Sequence, residues 1–218
     1  GHRDEEALYV VGGAGSSKHY TGFQRYSFRK EKWETLTPGP TGEPVTRNRT
    51  GHSVVYLKSP SLILMYAGSQ GGTLTPTSDT YTIDTIPPYT ALGYSTKQAK
   101  PAIFPILLPW NDHEAALVGT TTDKMVHLFH PARPATDPWS KSVAPLPQSL
   151  PDDVQCSILQ RPDGSKLLQT FDMSTTPNNV TTIPLSEPRT KLALSGQITD
   201  ADFSGYPMYN AQFASTKT

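Results

Sequence analysis

Short apolar runs recur along this chain at a nearly constant spacing, and each run ends at or passes into a small residue. Three of them stop at glycine and the fourth passes into threonine. The successive stop positions are separated by 56, 51 and 51 residues, and they are Gly12, Gly68, Gly119 and Thr170. Self-similarity at a fixed spacing is the signature of repeat architectures, in which each repeat buries its apolar face against its neighbours. The spacing therefore predicts a repeat array.

Each repeat contains further segments with the alternation of polar and apolar residues that is typical of β-strands. The 21 prolines and 16 glycines leave few stretches long enough for a stable helix. Roughly three or four strands per repeat, joined as meanders, is the pattern of a β-propeller blade. Besides the glycine-terminated runs, the predicted strands are 24–28, 32–36, 51–57, 80–84, 102–108, 125–129, 154–159 and 179–183.

The first repeat carries residues specific enough to suggest a family. The run from Leu8 to Val11 ends in the doublet Gly12-Gly13, and Trp33 follows Tyr26 by seven residues. This pattern resembles the kelch repeat. In the second repeat, 49–55 resembles the first strand of the family, 66–72 its glycine turn and 79–84 its third strand; the third repeat keeps Gly119 and Trp139, and the fourth keeps neither.

The resemblance implies an all-β fold, a kelch-like β-propeller of which about four blades are present. Kelch propellers usually close with more blades, so we expect an incomplete or strand-shared ring. Residues 1–185 are assigned to the blades. Residues 186–218 form a C-terminal tail, in which 191–194 and 206–213 are candidate strands, and one of them is expected to return and pair with the first blade.

Glycine and tryptophan have physical roles in such an array. Glycine at a strand end permits a positive φ and a close approach of neighbouring sheets. Large aromatic side chains fill the space between adjacent twisted sheets. We therefore predict that Gly12 and Gly68 occupy tight turns, and that Trp33 and Trp139 belong to the core.

The charge balance excludes some classes of protein. Nineteen Lys and Arg residues balance nineteen Asp and Glu residues in the 218-residue chain, which leaves no electrostatic signature of nucleic-acid binding. No apolar run approaches the length needed to span a bilayer. The single cysteine, Cys156, has no intramolecular disulfide partner.

The catalytic signals are weak. His127 and His130 are three residues apart, and residues three apart on a strand face opposite sides, which disfavours a metal site. Galactose oxidase shares the propeller and uses a cysteine cross-linked to tyrosine, but Cys156 lies in an apolar segment typical of a buried thiol. No P-loop, HExxH or Gly-x-Ser-x-Gly motif is present. We predict no catalytic residue, no metal and no cofactor.

Two sequons, at Asn48 and Asn179, are acceptors for N-glycosylation if the chain enters the secretory pathway. Only 17% of the residues are charged. Both features slightly favour a secreted or cell-surface location.

The sequence thus favours a non-catalytic scaffold that binds a protein partner through its blade-connecting loops, because loops on rigid frames carry binding residues. The alternative is a secreted carbohydrate-active protein, either a lectin or a copper enzyme similar to galactose oxidase. A third interpretation makes the chain one subunit of a larger assembly that completes the ring. The predicted binding residues are Arg47, Arg49, Trp110, Asn111, Asp112, His113 and Arg133.

Overall fold

The chain is all-β in the part that its computed structural model describes, where every regular element is a strand and all pairing between strands is antiparallel. The described residues are 7–13, 22–37, 49–70, 75–94, 104–120, 123–140, 144–146, 150, 154–172, 178–185 and 194–198. None of the described residues forms a helix long and apolar enough to cross a membrane.

Four small sheets follow one another along the chain, and a short two-stranded ribbon accompanies the second sheet. Sheet 1 contains β1 (Ala7–Val11), β2 (Phe23–Ser27) and β3 (Lys32–Leu36). The ribbon contains β4 (Arg49–Thr50) and β7 (Ser69–Gln70). Sheet 2 contains β5 (Ser53–Leu57), β6 (Leu62–Tyr66), β8 (Thr80–Asp84) and β9 (Ala91–Tyr94).

The remaining two sheets are also four-stranded meanders. Sheet 3 contains β10 (Ile106–Pro109), β11 (Ala115–Thr120), β12 (Asp123–Phe129) and β13 (Ala144–Pro145). Sheet 4 contains β14 (Val154–Gln160), β15 (Lys166–Asp172), β16 (Asn178–Pro184) and β17 (Leu194–Ile198). The predicted all-β meanders are therefore confirmed.

Alternation along β6 shows how the sheets stack. Leu62, Leu64 and Tyr66 pack with residues of sheet 3, whereas Ile63 and Met65 pack with residues of sheet 1. Successive side chains of a strand point to opposite faces. Sheet 2 is consequently buried on both faces, which explains why all five residues of β6 are apolar and buried.

Sheet 3 repeats this arrangement one step further along the chain. Ala115 and Leu117 of β11 pack with sheet 2, and Ala116 and Val118 pack with sheet 4. The first strand of sheet 3, β10, also lies against β5 of sheet 2 and β14 of sheet 4. The sheets therefore stack face to face in chain order, and the first strands of sheets 2, 3 and 4 neighbour one another along one side of the stack.

The glycine turns show the predicted positive φ angles in the first two sheets. Gly12 and Gly13 have φ of 61° and 111°, and Ala67 and Gly68 have φ of 62° and 86°. The structural equivalent of Gly12 is thus Ala67. This residue directly precedes Gly68, the glycine that the repeat spacing matched with Gly12. The alignment by glycine alone was wrong by one residue because Ala67 adopts the left-handed conformation that is usual for glycine.

The two tryptophans chosen for the core have different environments. Trp139 is 1% exposed and packs edge-on against Tyr66 and Phe129, between sheets 2 and 3, as predicted. Trp33 is 52% exposed, so the prediction that it is buried was wrong. It lies beside Tyr26 on the face of sheet 1 that points away from sheet 2.

The tail contributes to sheet 4. Residues 194–198 form β17, which pairs with β16, so that sheet extends past the predicted boundary at residue 185. The predicted strand 206–213 lies outside the described residues, and so does any return of the tail to the first sheet.

Candidate functional site

The connection from β10 to β11, residues 110–114, forms a tight turn. The backbone N–H groups of Trp110 and Asn111 both donate to the carbonyl of Glu114, at 2.9 and 3.2 Å. The side chain of Asn111 accepts a bond from the His113 N–H at 2.8 Å and donates to Glu114 Oε2 at 2.7 Å. An Asn side chain that bonds the backbone two residues further on stabilises such a turn locally. The turn thus holds its own shape.

Sheet 2 supports the same turn from one side. The N–H of Ser59, between β5 and β6, donates to the carbonyl of Asp112 at 2.8 Å. His113 Nδ1 donates to the Ser59 carbonyl at 2.9 Å. These two bonds bring the connections of sheets 2 and 3 together at one end of the stack.

A second segment of sheet 3, residues 130–138, lies beside the turn. His130 Nδ1 contacts Glu114 Oε1, and the His130 N–H donates to the Pro138 carbonyl at 2.8 Å. Arg133 follows in this segment, with its N–H bonded to the His130 carbonyl at 3.0 Å. Glu114 therefore joins the two segments through its side chain.

Sheet 4 supports the turn from the other side. Lys166 Nζ donates to the Trp110 carbonyl at 2.6 Å and lies 5.0 Å from the centre of the Trp110 ring. Partial burial lowers the pKa of Lys166, and the negative charge of Glu114 opposes this effect. Three sheets thus hold one cluster, which we call the rim cluster: Ser59, Trp110–Glu114, His130, Arg133 and Lys166.

The structure places most of the predicted binding residues in this cluster. Asn111, Asp112, His113 and Arg133 are exposed there, and Trp110 is partly buried against Lys166. Arg49 lies elsewhere and is only 2% exposed, so its side chain is not available at the surface. Arg47 lies outside the described residues.

The residues that position this cluster were not among the predicted binding residues. Ser59, Glu114 and His130 lie in three separate connections, and Lys166 is the first residue of β15, 56 residues from Trp110 along the chain. The only local signal was Glu114, which follows the polar stretch 111–113 directly.

The two histidines considered as metal ligands, His127 and His130, have different surroundings. No group of three or more His, Cys, Asp or Glu side chains among them is arranged to hold a metal ion. His127 Nδ1 bonds the Ser140 carbonyl at 3.4 Å, whereas His130 bonds Glu114, so the two rings have different partners. The two histidines therefore form no shared site.

Cys156 is buried in the apolar cluster between sheets 3 and 4. Burial raises the pKa of its thiol to about 12, so the thiol stays protonated at neutral pH. The described members of this cluster include no tyrosine that could be cross-linked to Cys156.

No protein-family model matches the sequence, and no curated protein matches it. The candidate site is therefore defined by its own geometry.

Proposed function

We propose that sheets 1 to 4 are kelch-like blades of a β-propeller, and that the chain is a non-catalytic scaffold that binds a protein partner through the rim cluster. The chain-order stacking of the sheets supports the blade assignment, and so does the position of β10 between β5 and β14. In a propeller, the first strands of the blades neighbour one another around the axis.

The observation that carries the binding function is the support of one exposed turn by three sheets. Asn111, Asp112 and His113 present polar side chains to solvent. The Ser59 N–H holds the Asp112 carbonyl, and Lys166 holds the carbonyl of Trp110, which directly precedes them. A preorganised loop loses little conformational entropy on binding, so more of the contact energy remains as affinity. Loops on a rigid β frame are common recognition surfaces.

Charge reversal at the surface of the rim cluster tests this proposal. The double variant Asp112→Arg with Arg133→Glu keeps the net charge and changes two exposed side chains. The matched control is Lys32→Glu with Asp84→Arg, which exchanges two exposed charges in sheets 1 and 2. Affinity capture from the source cells, followed by mass spectrometry, compares both variants with the wild type.

We expect the wild type and the control to retain the same partner protein and the rim variant to lose it. Reversed charges at an interface typically cost several kcal/mol. Equal capture by the rim variant and the control would contradict the proposal, as would the absence of any protein captured by the wild type. Circular dichroism of each variant verifies that the sheets have formed.

A further inference from the structure

Sheet 1 has three strands, whereas sheets 2, 3 and 4 have four each. Alignment of the left-handed pairs 12–13 and 67–68 makes β1 the equivalent of β6, the second strand of sheet 2. The first strands β5, β10 and β14 each pair with the second strand of their sheet. Sheet 1 has no such first strand among the described residues, so one edge of β1 is open.

The backbone hydrogen bonds show which groups lie on this open edge. The Gly12 N–H donates to the Gly22 carbonyl at 2.9 Å, which continues the pairing of β1 with β2. Bonded and non-bonded pairs alternate between antiparallel strands, so Leu8 and Val10 also exchange bonds with β2. The residues whose N–H and C=O groups face the open edge are Ala7, Tyr9 and Val11.

Only the glycine end of the open edge has hydrogen-bond partners among the described residues. His52 Nε2 donates to the Val11 carbonyl at 2.8 Å, and the Gly13 N–H donates to the Arg49 carbonyl at 3.0 Å. The other edge groups have no such partner: they are the N–H and C=O groups of Ala7 and Tyr9 and the N–H of Val11. Unpaired groups on an edge strand are a template for pairing with another chain.

The side chains of β1 do not protect this edge. Native edge strands are commonly protected by charged residues, proline or a bulge. The sequence of β1 is ALYVV, without a charge or a proline, and its pairing with β2 is regular. The opposite edge of sheet 1, strand β3, contains Lys32 and Glu34. Of the two edges, β3 is therefore protected against strand addition and β1 is not.

Strand β5 shows what kind of segment fits beside β1. It runs antiparallel to β6, and its Val55 and Leu57 are 7% and 0% exposed because they pack with sheet 3. The equivalent positions beside β1 lie opposite Tyr9 and Ala7, and Tyr9 packs toward sheet 2. A fitting segment is therefore extended, antiparallel to β1 and apolar at alternate positions.

The predicted strand 206–213 of this chain fits the place less well. The connection from Ile198, the end of β17, to Tyr206 spans at most about 29 Å. Sheets 4 and 1 are three steps apart in the stack, at about 10 Å for each step between packed sheets. The connection would have to cross sheets 2 and 3 fully extended, without residues for a turn. A segment of another protein has no such constraint.

We propose that the open edge of β1 binds an extended segment of another protein, which adds to sheet 1 as an antiparallel fourth strand. Main-chain hydrogen bonds supply the affinity in this mode of recognition, and alternate side chains supply the specificity. Strand β1 contains no residue of the rim cluster, so this site does not rest on the proposed function.

Hydrogen exchange of single amides, followed by NMR, tests the open edge in the free chain. We expect Leu8 and Val10 to exchange slowly because they bond to β2, and Tyr9 to exchange fast because its N–H is unpaired. Slow exchange of Tyr9 at every protein concentration would mean that the chain covers its own edge. Slow exchange only at high concentration would mean that a second copy covers it. Either result overturns the proposal.

A capped peptide with the sequence of residues 52–58 is the probe for strand addition, since this segment occupies the equivalent place in sheet 2. The Val55 N–H faces β6 in that sheet, and the Val54 N–H faces away from it. We expect calorimetric titration to show binding to the wild type. Methylation of the Val55 nitrogen should weaken binding at least about tenfold, and methylation of the Val54 nitrogen less than about threefold.

The protein variants are Ala7→Pro and Tyr9→Pro, each of which removes an N–H from the open edge and keeps the bonds to β2. The matched control is Thr35→Pro, which removes an N–H from the outer edge of β3. Each β1 variant should bind the peptide at least about tenfold more weakly than the control and the wild type do. A thermal melt verifies folding, and Ala7→Pro serves if Tyr9→Pro fails to fold.

A wild-type chain that does not bind the peptide overturns the proposal. Peptide binding that the β1 prolines leave unchanged also overturns it, and so does an equal effect of the two methylations.

Discussion

Gly68 lies where the chain has no room for a side chain. A Cβ added there would lie 2.6 Å from the Thr50 carbonyl oxygen and 2.7 Å from the His52 nitrogen, which are backbone atoms. Its φ of 86° is also unfavourable for any other residue. The positive φ and a close approach at such glycines were predicted from the sequence, and the structure identifies the 50–52 segment as the backbone that approaches Gly68.

Gly68→Ala should therefore destabilise the protein by more than Gly164→Ala does. Gly164 has a similar φ of 82°, but a Cβ added there meets no described atom within 4 Å. We expect Gly164→Ala to cost about 1 kcal/mol from backbone strain alone, and Gly68→Ala about 3 kcal/mol or more because strain and overlap add. Urea denaturation measures both; equal losses would show that the close approach is unimportant.

His52 joins sheets 1 and 2 and responds to pH. Its Nε2 donates to the Val11 carbonyl at 2.8 Å, and its buried Nδ1 has no hydrogen-bond partner among the described residues. Burial lowers the pKa of His52, the Arg49 cation lowers it further, and the bond to Val11 opposes both. The folded protein therefore takes up a proton on His52 less readily than the unfolded chain.

The free energy of unfolding should consequently fall as the pH drops below about 6.5, where the unfolded histidine becomes protonated. The loss continues until the pH reaches the lowered pKa of the folded state, at up to about 1.4 kcal/mol per pH unit. His52→Gln retains an N–H donor but does not titrate. Denaturation at several pH values should show this fall in the free energy of unfolding for the wild type. The variant should lack the part of the fall that His52 contributes. Parallel pH profiles of the two proteins would contradict the assignment.

Among the elements, the β4–β7 ribbon depends on a buried charge. Arg49 donates to the Ala67 carbonyl at 2.9 Å, to Thr77 Oγ1 at 2.8 Å and to Asp79 Oδ2 at 2.8 Å. Its guanidinium also lies 5.6 Å from the centre of the Tyr81 ring. One side chain thus ties the ribbon to the connection that enters β8.

Arg49→Met should lower the free energy of unfolding by about 3 kcal/mol, because it leaves the Ala67 carbonyl and Asp79 without their partner. Lys58→Met is the matched control, since it removes one positive charge from an exposed position. The control should change stability by less than about 0.5 kcal/mol. Thermal and urea denaturation compare the two; a loss in Arg49→Met no larger than in the control would mean that the bonds contribute little.

The strands themselves were largely predictable, although β9 and β13 were not among the predicted segments, and the late start of β10 has a local cause. The alternating segments 32–36 and 80–84 were predicted with the bounds that the structure shows. Of the predicted strand 102–108, residues 102–103 lie outside the described residues, and β10 begins at Ile106 because Phe104 has a φ of 53° that interrupts extended backbone. Phe104 instead donates its N–H to the Gly51 carbonyl at 2.6 Å, a contact between distant segments.

At the scale of the whole molecule, sheets 2 and 3 are covered on both faces and sheet 1 on one. Local opening is easiest where few apolar contacts must be broken. The strands β2, β6 and β11 each have a hydrogen-bonded strand on both sides. They therefore differ in how many faces of their sheet are covered by another sheet, and not in the number of paired strands.

Hydrogen exchange followed by mass spectrometry should therefore show β6 and β11 to be the slowest of these three strands, and β2 to be faster. Exchange in β2 as slow as in β6 would indicate that the covering of sheet faces does not control local stability here.

Only part of the candidate site could be predicted from the sequence. Exposure of Asn111, Asp112 and His113 followed from a polar stretch between two apolar strands. The burial of Arg49 did not, because it depends on acceptors 18 to 30 residues further along the chain. The contact of Glu114 with His130 depends on the pairing of β11 with β12, and the contact of Lys166 with Trp110 depends on how sheets 3 and 4 pack.

Local patterns were sufficient for the strands, their meander order and the positive φ at the glycine turns, because each of these depends on residues close together in the chain. Alternation along a strand also shows that a sheet has two distinct faces. It does not show which face meets another sheet, since that depends on groups far away in sequence. Packing alone therefore placed Trp139 in the core, left Trp33 exposed and assembled the rim cluster from three sheets.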